Sequence, residues 1–525
     1  MHRVRHDLFF PHNSLMVFYF PLHRRPRWWR PVTACLVLTL AGMAQSEENV
    51  KIPPGDAPPP QLTLEAALDR VIATDQTVAI ADYEVRKAGL EEWRAWTRIM
   101  PSLSLGADAT WRGSRNKDTV EVIDDSSDQE DPLGGSNNTT LGRLVRQSRW
   151  SESNSNQQSL GLSFNQPILD LTLGPARRST ALGRQISEWQ LRRQLREVLF
   201  SVTSLYFEIL KQEALIRENT KTLGLTSHQV ELARARFDAQ EIIAADVLAS
   251  RVDDERARRA VTLATSRRDL ARTRLAITLN FPVTSHFEVT EPPDGHLNLS
   301  DLPEAVAIAR PHREDIRIAE LTASRTASER AAIKARFAPT LDFQVSQNAA
   351  VGSEFEENSN WTAGLSLNWT LIDRGTRLLD LKTNELQRGQ DELHVQDTLR
   401  LVSDQVTAAW YAIDELKKTA SSLNAEREAA EAAYPVQLGK YQAGLATNLE
   451  VQSAIRDLAR VRAESVITAF DLEVAYRELE NVLATYQNQR IESTLQRLLP
   501  AATPRLRNAR SPQPTEGPHV NKNAR

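Results

Sequence analysis

The chain of 525 residues is longer than one ordinary compact core, so its length indicates several domains or an internal repeat. Charged residues make up 25% and apolar residues 41%, which is typical of a globular protein, and no apolar run reaches the length of a membrane-spanning helix. The formal net charge is −4, but both ends of the chain are basic and its middle is acidic. A nucleic-acid-binding protein would instead present a basic face, so that class is excluded.

Residues 1–44 are predicted to be an export signal. Arginines precede an apolar run at 32–43, and small residues suit cleavage after Ala44, although translation starting at Met16 is an alternative. The only cysteine, Cys35, lies in this segment, so the mature chain has no thiol, as suits an oxidising compartment. Lipidation at Cys35 is not expected, because the apolar run follows this cysteine instead of preceding it.

The chain repeats itself once. Three anchors recur in the same order, which is hard to obtain by chance and predicts two copies of one structural unit. The matched pairs are Met100-Pro101-Ser102-Leu103 with Ala338-Pro339-Thr340-Leu341, Phe164-Asn165-Gln166-Pro167-Ile168-Leu169-Asp170 with Leu367-Asn368-Trp369-Thr370-Leu371-Ile372-Asp373, and Phe237-Asp238-Ala239-Gln240 with Tyr441-Gln442-Ala443-Gly444.

Four segments alternate apolar and polar residues and are predicted to be the strands of two hairpins. They cover residues 102–111, 160–165, 341–346 and 361–369. Such hairpins could pack on the helical core of a soluble protein, and the strands taken alone favour this interpretation. They could also form a barrel wall, with lipid on the apolar face and water on the polar face.

A very long helix is predicted after each hairpin. Proline is absent between Pro175 and Phe237 and between Asp373 and Pro435, and apolar residues follow a coiled-coil spacing in both stretches. A helix of about 65 residues would be about 100 Å long, more than a compact domain needs. The seams are Val198, Val202, Leu205 and Ile209, and Val402, Val406, Ala409 and Ile413. Shorter helices are predicted over 246–279, 450–486, 63–97 and 301–336.

Two hairpins supply four strands, and about eight are needed to close a barrel. An exported chain with four amphipathic strands therefore indicates that several copies share one barrel and so remove the open edges.

These residues resemble the TolC-type outer-membrane efflux family over roughly residues 60–490. The motifs that carry the resemblance are the proline-ended helix before each hairpin, the strand-to-helix junctions at Asp170 and 371–375, and the turn 441–451. The resemblance implies a duplicated, mainly α-helical fold with a small β part. As a homotrimer it would form a twelve-stranded outer-membrane β-barrel on a long periplasmic α-helical barrel. It also implies export without catalysis, in a tripartite efflux or type I secretion system with outer-membrane lipid, a periplasmic adaptor and an inner-membrane transporter as partners.

The predicted boundaries follow the repeat. They are the signal 1–44, a linker 45–60, the first repeat 61–285, a connector 286–298, the second repeat 299–490 and a basic, flexible tail 491–525. Within the first repeat, residues 112–158 are predicted to be a long acidic outer loop, without the spacing of an EF-hand calcium site.

The resemblance places the narrow periplasmic end of the channel just past the helix-turn-helix tips. Asp246 and Glu450 lie there, and both could simply cap their helices. Alternatively, Glu450 could form an acidic ring that favours cations, although Ser453 stands where some relatives have a second acid. A contact between Asp246 and Tyr441 would suit a closed-state latch.

The adaptor-facing tip is expected at Ala443-Gly444-Leu445, where glycine suits a left-handed helix end. The first copy has Ala239-Gln240-Glu241 instead, which leaves docking at that tip an open question.

The sequence predicts no catalytic, cofactor-binding or metal site. Its ten histidines are scattered, and neither a phosphate-binding loop nor a nucleophile elbow occurs. The competing class is a soluble periplasmic coiled-coil adaptor or scaffold. The duplicated strands favour the channel, because an adaptor would carry a single helical hairpin flanked by lipoyl-like and β-barrel domains.

Overall fold

A computed structural model describes residues 58–124, 143–293, 295, 299, 301–352 and 355–499. The first repeat contains β1 (Gln61–Leu62), α1 (Leu64–Thr74), α2 (Gln76–Thr97), β2 (Ser102–Asp124), β3 (Arg143–Leu169), α3 (Leu173–Asp238) and α4 (Ala244–Thr278). After β4 (Glu288–Val289), the second contains α5 (Leu302–His312), α6 (Glu314–Ala335), β5 (Thr340–Gly352), β6 (Phe355–Asn368), α7 (Thr376–Gln442) and α8 (Asn448–Val482), and α9 (Asn488–Leu498) follows. The two halves share one order of elements, as the repeat predicts.

The four long strands form one antiparallel sheet in the order β2-β3-β5-β6. Leu103 pairs with Phe164 and Phe164 with Val345, so apolar side chains of three strands share one face. One residue further along, Ser104 pairs with Ser163 on the opposite face. The predicted alternation is confirmed, and β2 and β6 are the edges of the sheet among the described strands.

The first hairpin is longer than the sequence predicts. Residues 112–124 and 143–158, expected in an outer loop, continue β2 and β3 instead. Polar residues can extend a strand, because the backbone hydrogen bonds of a sheet do not depend on side-chain polarity. Contacts between side chains of β2 and β3 also stabilise this part of the hairpin. Arg115 Nε lies 3.2 Å from Glu152 Oε1, and the Arg115 guanidinium lies 4.9 Å from the centre of the Trp150 ring. The segment between the two strands lies outside the described residues.

The two long helices are confirmed. α3 has 66 residues and α7 has 67, which corresponds to about 100 Å each. The predicted seams are largely buried within two hydrophobic clusters, and α4 and α8 pack antiparallel against the long helices. The fully enclosed seam residues are Val202 and Ile209 in α3 and Val406 in α7.

The helices before the hairpins are broken, whereas the sequence predicts one helix in each place. α1 and α2 meet at Asp75, whose backbone is extended and whose carboxylate accepts hydrogen bonds from Thr77 N at 2.8 Å and Val78 N at 3.0 Å. This is a helix N-cap, which starts a new helix. α5 and α6 meet at Arg313, which is also extended.

The middle of α3 holds the short strands in place. β1 and β4 pair in parallel, and the buried Tyr206 hydroxyl lies 2.9 Å from Leu62 O and 2.6 Å from Thr290 O. It also accepts a hydrogen bond from Thr290 N at 3.0 Å. One phenol therefore fastens β1 and the residue after β4 to the long helix of the first repeat.

The tail begins later than predicted, because residues from position 491 onward still belong to α9, in which Ile491 and Thr494 are buried. Among the described helices, none combines the length and apolar character needed to cross a membrane. The predicted signal, with Met16 and Cys35, lies outside the described residues, as do most of the linker and of the tail.

Candidate functional site at the helix-turn-helix tips

The turns at the far ends of the two helical hairpins have the same backbone. Gln240 in the α3–α4 turn has a φ of 62°, and Gly444 in the α7–α8 turn has a φ of 75°. In both turns, the amide after this left-handed residue donates to the carbonyl five residues back, at 2.9 Å and 2.8 Å respectively. This is the hydrogen-bond pattern of a glycine-type helix end. The sequence difference between the tips therefore does not change the shape of the turn.

The tips differ in their side chains. Leu445 is 80% exposed in the second turn. At the equivalent position of the first turn, Glu241 Oε2 accepts a hydrogen bond from Arg236 Nε at 2.7 Å. Ala443 and Gly444 are also exposed. The second tip thus offers an apolar surface, and the first offers a charged one.

Arg236 joins the ends of the two long helices. Its guanidinium lies 4.5 Å from the centre of the Tyr441 ring, and its Nη1 donates a hydrogen bond to the Tyr441 carbonyl. Tyr441 is buried among Leu225, Leu232 and Val451. Burial raises the pKa of the Tyr441 phenol, although the neighbouring Arg236 opposes this rise. The phenol is therefore neutral at physiological pH, and Arg236 binds its ring and carbonyl.

The expected latch between Asp246 and Tyr441 has a different form in this structure. The Tyr441 hydroxyl makes no hydrogen bond to the Asp246 carboxylate. Arg236 lies over the tyrosine ring and supplies one contact between the repeats. Asp246 contacts the second repeat through its backbone, because its carbonyl accepts a hydrogen bond from Asn448 Nδ2 at 2.9 Å.

Glu450 caps α8. Its Oε2 accepts a hydrogen bond from Thr447 N at 2.7 Å, while Thr447 Oγ1 accepts one from Glu450 N at 3.4 Å. This reciprocal pair is a capping box. Glu450 is nevertheless exposed, as is Ser453 one turn further on, so capping leaves the charge facing solvent.

Asn448, which the sequence did not single out, connects three helices. Its Oδ1 accepts a hydrogen bond from Gln229 Nε2 at 2.8 Å, and its Nδ2 donates to Ser250 Oγ at 3.1 Å. Gln452 joins the same group through Ser250, at 3.0 Å. All four residues are buried. Polar residues at buried seam positions would have been the signal for this network, but locating the seam requires knowing which hairpins pack together.

A second polar group lies one turn further from the tip. Burial acts to raise the pKa of Asp254, but hydrogen bonds from Ser227, Arg258 and Thr226 outweigh it and hold the pKa below its usual range. Ser227 Oγ lies 2.7 Å and Thr226 Oγ1 3.1 Å from Asp254 Oδ1. The ionised Asp254 therefore fixes α4 against α3 near the tip.

These contacts restrain the tips mechanically. No group of histidine, cysteine or acidic side chains in the described part of the chain could hold a metal ion. Amphipathic hairpins at one end, helices of about 100 Å, and a polar tie at the far end are the features expected of a channel that crosses an outer membrane and extends into the periplasm.

Comparison with known proteins agrees with this class. Residues 306–485 match the family model described as outer membrane efflux protein. This match lies in the second repeat, and the family that it describes consists of channels. It agrees with the family resemblance and with the outer-membrane location that the sequence predicts.

Solved channel structures share the fold over most of the chain. The Vibrio cholerae outer membrane protein VceC is 17% identical, with a TM-score of 0.63, and the match covers 80% of this chain and 96% of that one. The Campylobacter jejuni channel CmeC is 13% identical, with a TM-score of 0.65 and coverage of 83% and 89%. CusC is 14% identical, with a TM-score of 0.65 and coverage of 80% and 91%. No curated protein sequence matches the chain.

Proposed function

We propose that this outer-membrane efflux channel is the passive duct of a tripartite efflux or type I secretion system. It works as a homotrimer with a periplasmic adaptor and an inner-membrane transporter. The observation that carries the proposal is one chain that joins a four-stranded amphipathic sheet to two helical hairpins of about 100 Å. The hairpins have the length to carry cargo across a periplasm.

The sheet supports the homotrimer. β2 and β6 are its edges, and a lipid-exposed edge would leave backbone groups without hydrogen-bond partners. If β6 of one copy pairs with β2 of the next, three copies give twelve strands, which is enough to close a barrel. The serines and asparagines of the polar face then line the water-filled interior.

The tips supply the aperture of the duct. Arg236 ties α3 to α7, and the Asn448 network ties α3, α4 and α8. Movement of either hairpin away from the other must break these contacts first. Glu450, which occurs three times in a homotrimer, places an acidic ring at the entrance and favours cations there.

Cell fractionation tests the outer-membrane duct. We expect heat-resistant trimers in the detergent-extracted outer membrane, and purified protein should produce discrete conductance steps in planar bilayers. A monomer that stays soluble in the periplasm would refute the proposal in favour of an adaptor or scaffold.

Cross-linking tests the periplasmic partner. The only cysteine of the chain, Cys35, lies in the predicted signal, so a cysteine introduced elsewhere would be the only thiol of the mature protein. Leu445→Cys at the exposed second tip should form a cross-link to a periplasmic protein in intact cells. Glu241→Cys is the matched variant at the first tip, and equal cross-linking from both would show that the two turns dock alike. Absence of any cross-link from both sites would contradict adaptor docking at the tips.

A further inference from the structure

Exposed bases surround the junction between the sheet and the helices. Arg98 is the C-cap of α2, Lys334 lies in the last turn of α6, Arg178 lies in the second turn of α3, and Arg374 precedes the N-cap of α7. All four are exposed, and among the described residues no carboxylate forms an ion pair with them. We call these four residues the basic collar.

Helix stability explains only half of the collar. Arg98 and Lys334 stand at helix C-termini, where the helix dipole favours a positive charge. Arg178 and Arg374 stand near N-termini, where the dipole disfavours it. The backbone amides at the starts of the two long helices already donate to carboxylates, Thr172 N to Asp170 at 2.8 Å and Arg377 N to Asp373 at 2.9 Å. Helix stability therefore does not require Arg178 and Arg374, which remain exposed to an external anion.

An apolar projection lies beside the collar. Leu371 is 70% exposed and Ile372 is 88% exposed, in the junction between β6 and α7. We call this pair the apolar finger. The loop is firmly held, because the buried Arg377 donates to Asp373 Oδ2 at 2.7 Å and to Thr370 O at 2.7 Å. A rigid loop that exposes two large aliphatic side chains indicates a surface that another molecule covers.

Two exposed tryptophans lie near the same junction. Trp369 continues the apolar face of β6, is 56% exposed, and donates its indole N–H to Phe337 O at 3.0 Å. Trp93 is 63% exposed near the end of α2. Indole side chains with one apolar and one polar edge prefer the boundary between lipid tails and headgroups.

We propose that the basic collar and the apolar finger form a binding surface for anionic glycerophospholipid in the leaflet on the helical side of the membrane. The proposal rests on the proposed function, which places the sheet in the membrane and the helices in the periplasm. The finger enters the acyl region, the tryptophans mark its boundary, and the collar binds headgroup phosphate through charge-assisted hydrogen bonds. The collar supplies exposed positive charge at this junction, although the middle of the chain is acidic.

Native mass spectrometry of the detergent-solubilised full chain tests this surface. The protein is equilibrated with equal amounts of phosphatidylglycerol and phosphatidylcholine of the same acyl chains, and the ratio retained on the oligomer is measured. We expect phosphatidylglycerol to be in excess. The variant Arg98→Gln/Arg178→Gln/Lys334→Gln/Arg374→Asn should reduce this excess at least about tenfold.

A matched control removes the same charge elsewhere. Its substitutions are Arg251→Gln, Arg267→Gln, Arg400→Gln and Arg427→Gln, all at exposed helical positions. This control should keep the lipid preference. If the collar variant does not fold, Arg374→Asn alone still tests the proposal, because asparagine tolerates the φ of 60° at this position. It should reduce the excess about fivefold.

Three results would overturn the proposal. The first is a wild-type oligomer without phosphatidylglycerol excess, and the second is a control that loses as much excess as the collar variant. The third is a Leu371→Ser/Ile372→Ser variant that dissociates the oligomer but keeps the lipid ratio, because the finger would then be a contact between protomers. Bilayer conductance separates these results from failure of the proposed function: a conducting wild type without lipid preference refutes only the lipid surface.

Discussion

Replacing Arg236 by methionine should open the channel. Methionine keeps most of the aliphatic length of the side chain but removes the cation above the Tyr441 ring, the hydrogen bond to the Tyr441 carbonyl and the pair with Glu241. Because these contacts tie the tip of one hairpin to the other, their loss should favour separation of the tips.

The size of the effect follows from the burial of each contact. A cation over an aromatic ring contributes about 0.5–2 kcal/mol, and a hydrogen bond from a charged donor about 1.5–3 kcal/mol. The Glu241 side chain is 52% exposed, so its ion pair adds about 0–1 kcal/mol. Since the contacts share one side chain and do not add fully, the loss is about 2 kcal/mol per protomer. That corresponds to a shift of about thirtyfold in the closed-to-open equilibrium of each tip.

Single-channel recording in planar bilayers measures this shift as higher conductance and longer open times. Arg234→Met is the matched control, because Arg234 is exposed two residues earlier on the same helix. Tyr441→Phe should leave conductance unchanged, since it keeps the ring that Arg236 contacts. The reasoning is refuted if Arg236→Met conducts like the wild type while circular dichroism shows intact helices.

Four further changes have defined outcomes. Gln240→Gly should relieve left-handed strain and slow amide exchange at the first tip about fivefold, whereas Gly444→Gln should speed exchange at the second; equal rates before and after would contradict a shared turn geometry. Glu450→Gln keeps the capping box but removes the charge, so the reversal potential in a KCl gradient should move toward zero; an unchanged potential would place the cation preference elsewhere. Tyr206→Phe should lower stability by about 1–3 kcal/mol, visible as a lower midpoint of unfolding by denaturant, because buried groups at Leu62 and Thr290 lose their partner. Burial raises the pKa of the Glu188 carboxyl above its ordinary 4.5, although Arg184 opposes the rise. Above pH 4.5 the carboxyl ionises more readily in the unfolded chain than in the folded one, which lowers the stability of the fold. Glu188→Gln should therefore raise the thermal midpoint at pH 7, with a gain that disappears as the pH falls below 4.5; a gain independent of pH would exclude this cause.

The sequence was sufficient for the repeat and for the long elements. Burial of Val202 and Val406 follows from seam spacing, and the faces of the sheet follow from strict alternation, since both are local periodic signals. The predicted outer loop 112–158 was too long, because acidic composition indicated a loop, whereas the backbone ladder continues through residues 112–124 and 143–158.

The contacts at the tips could not be predicted in the same way. Arg236 and Tyr441 are 205 positions apart, and their contact depends on how two hairpins pack. The break at Asp75 did have a local signal, because aspartate is a favoured N-cap residue. Its carboxylate accepts hydrogen bonds from the amides of Thr77 and Val78. An uninterrupted apolar pattern concealed it.

The two tip turns have one backbone shape but carry different residues. In the proposed trimer, six turns of equal geometry surround the entrance, so the rim is sixfold in shape. The exposed Leu445 occurs on only three of them, and the pair of Glu241 with Arg236 occupies the other three, so the rim is threefold in chemistry. A partner that recognises only the backbone shape of a turn would therefore meet six equivalent sites, whereas one that recognises side chains would meet three apolar and three charged sites.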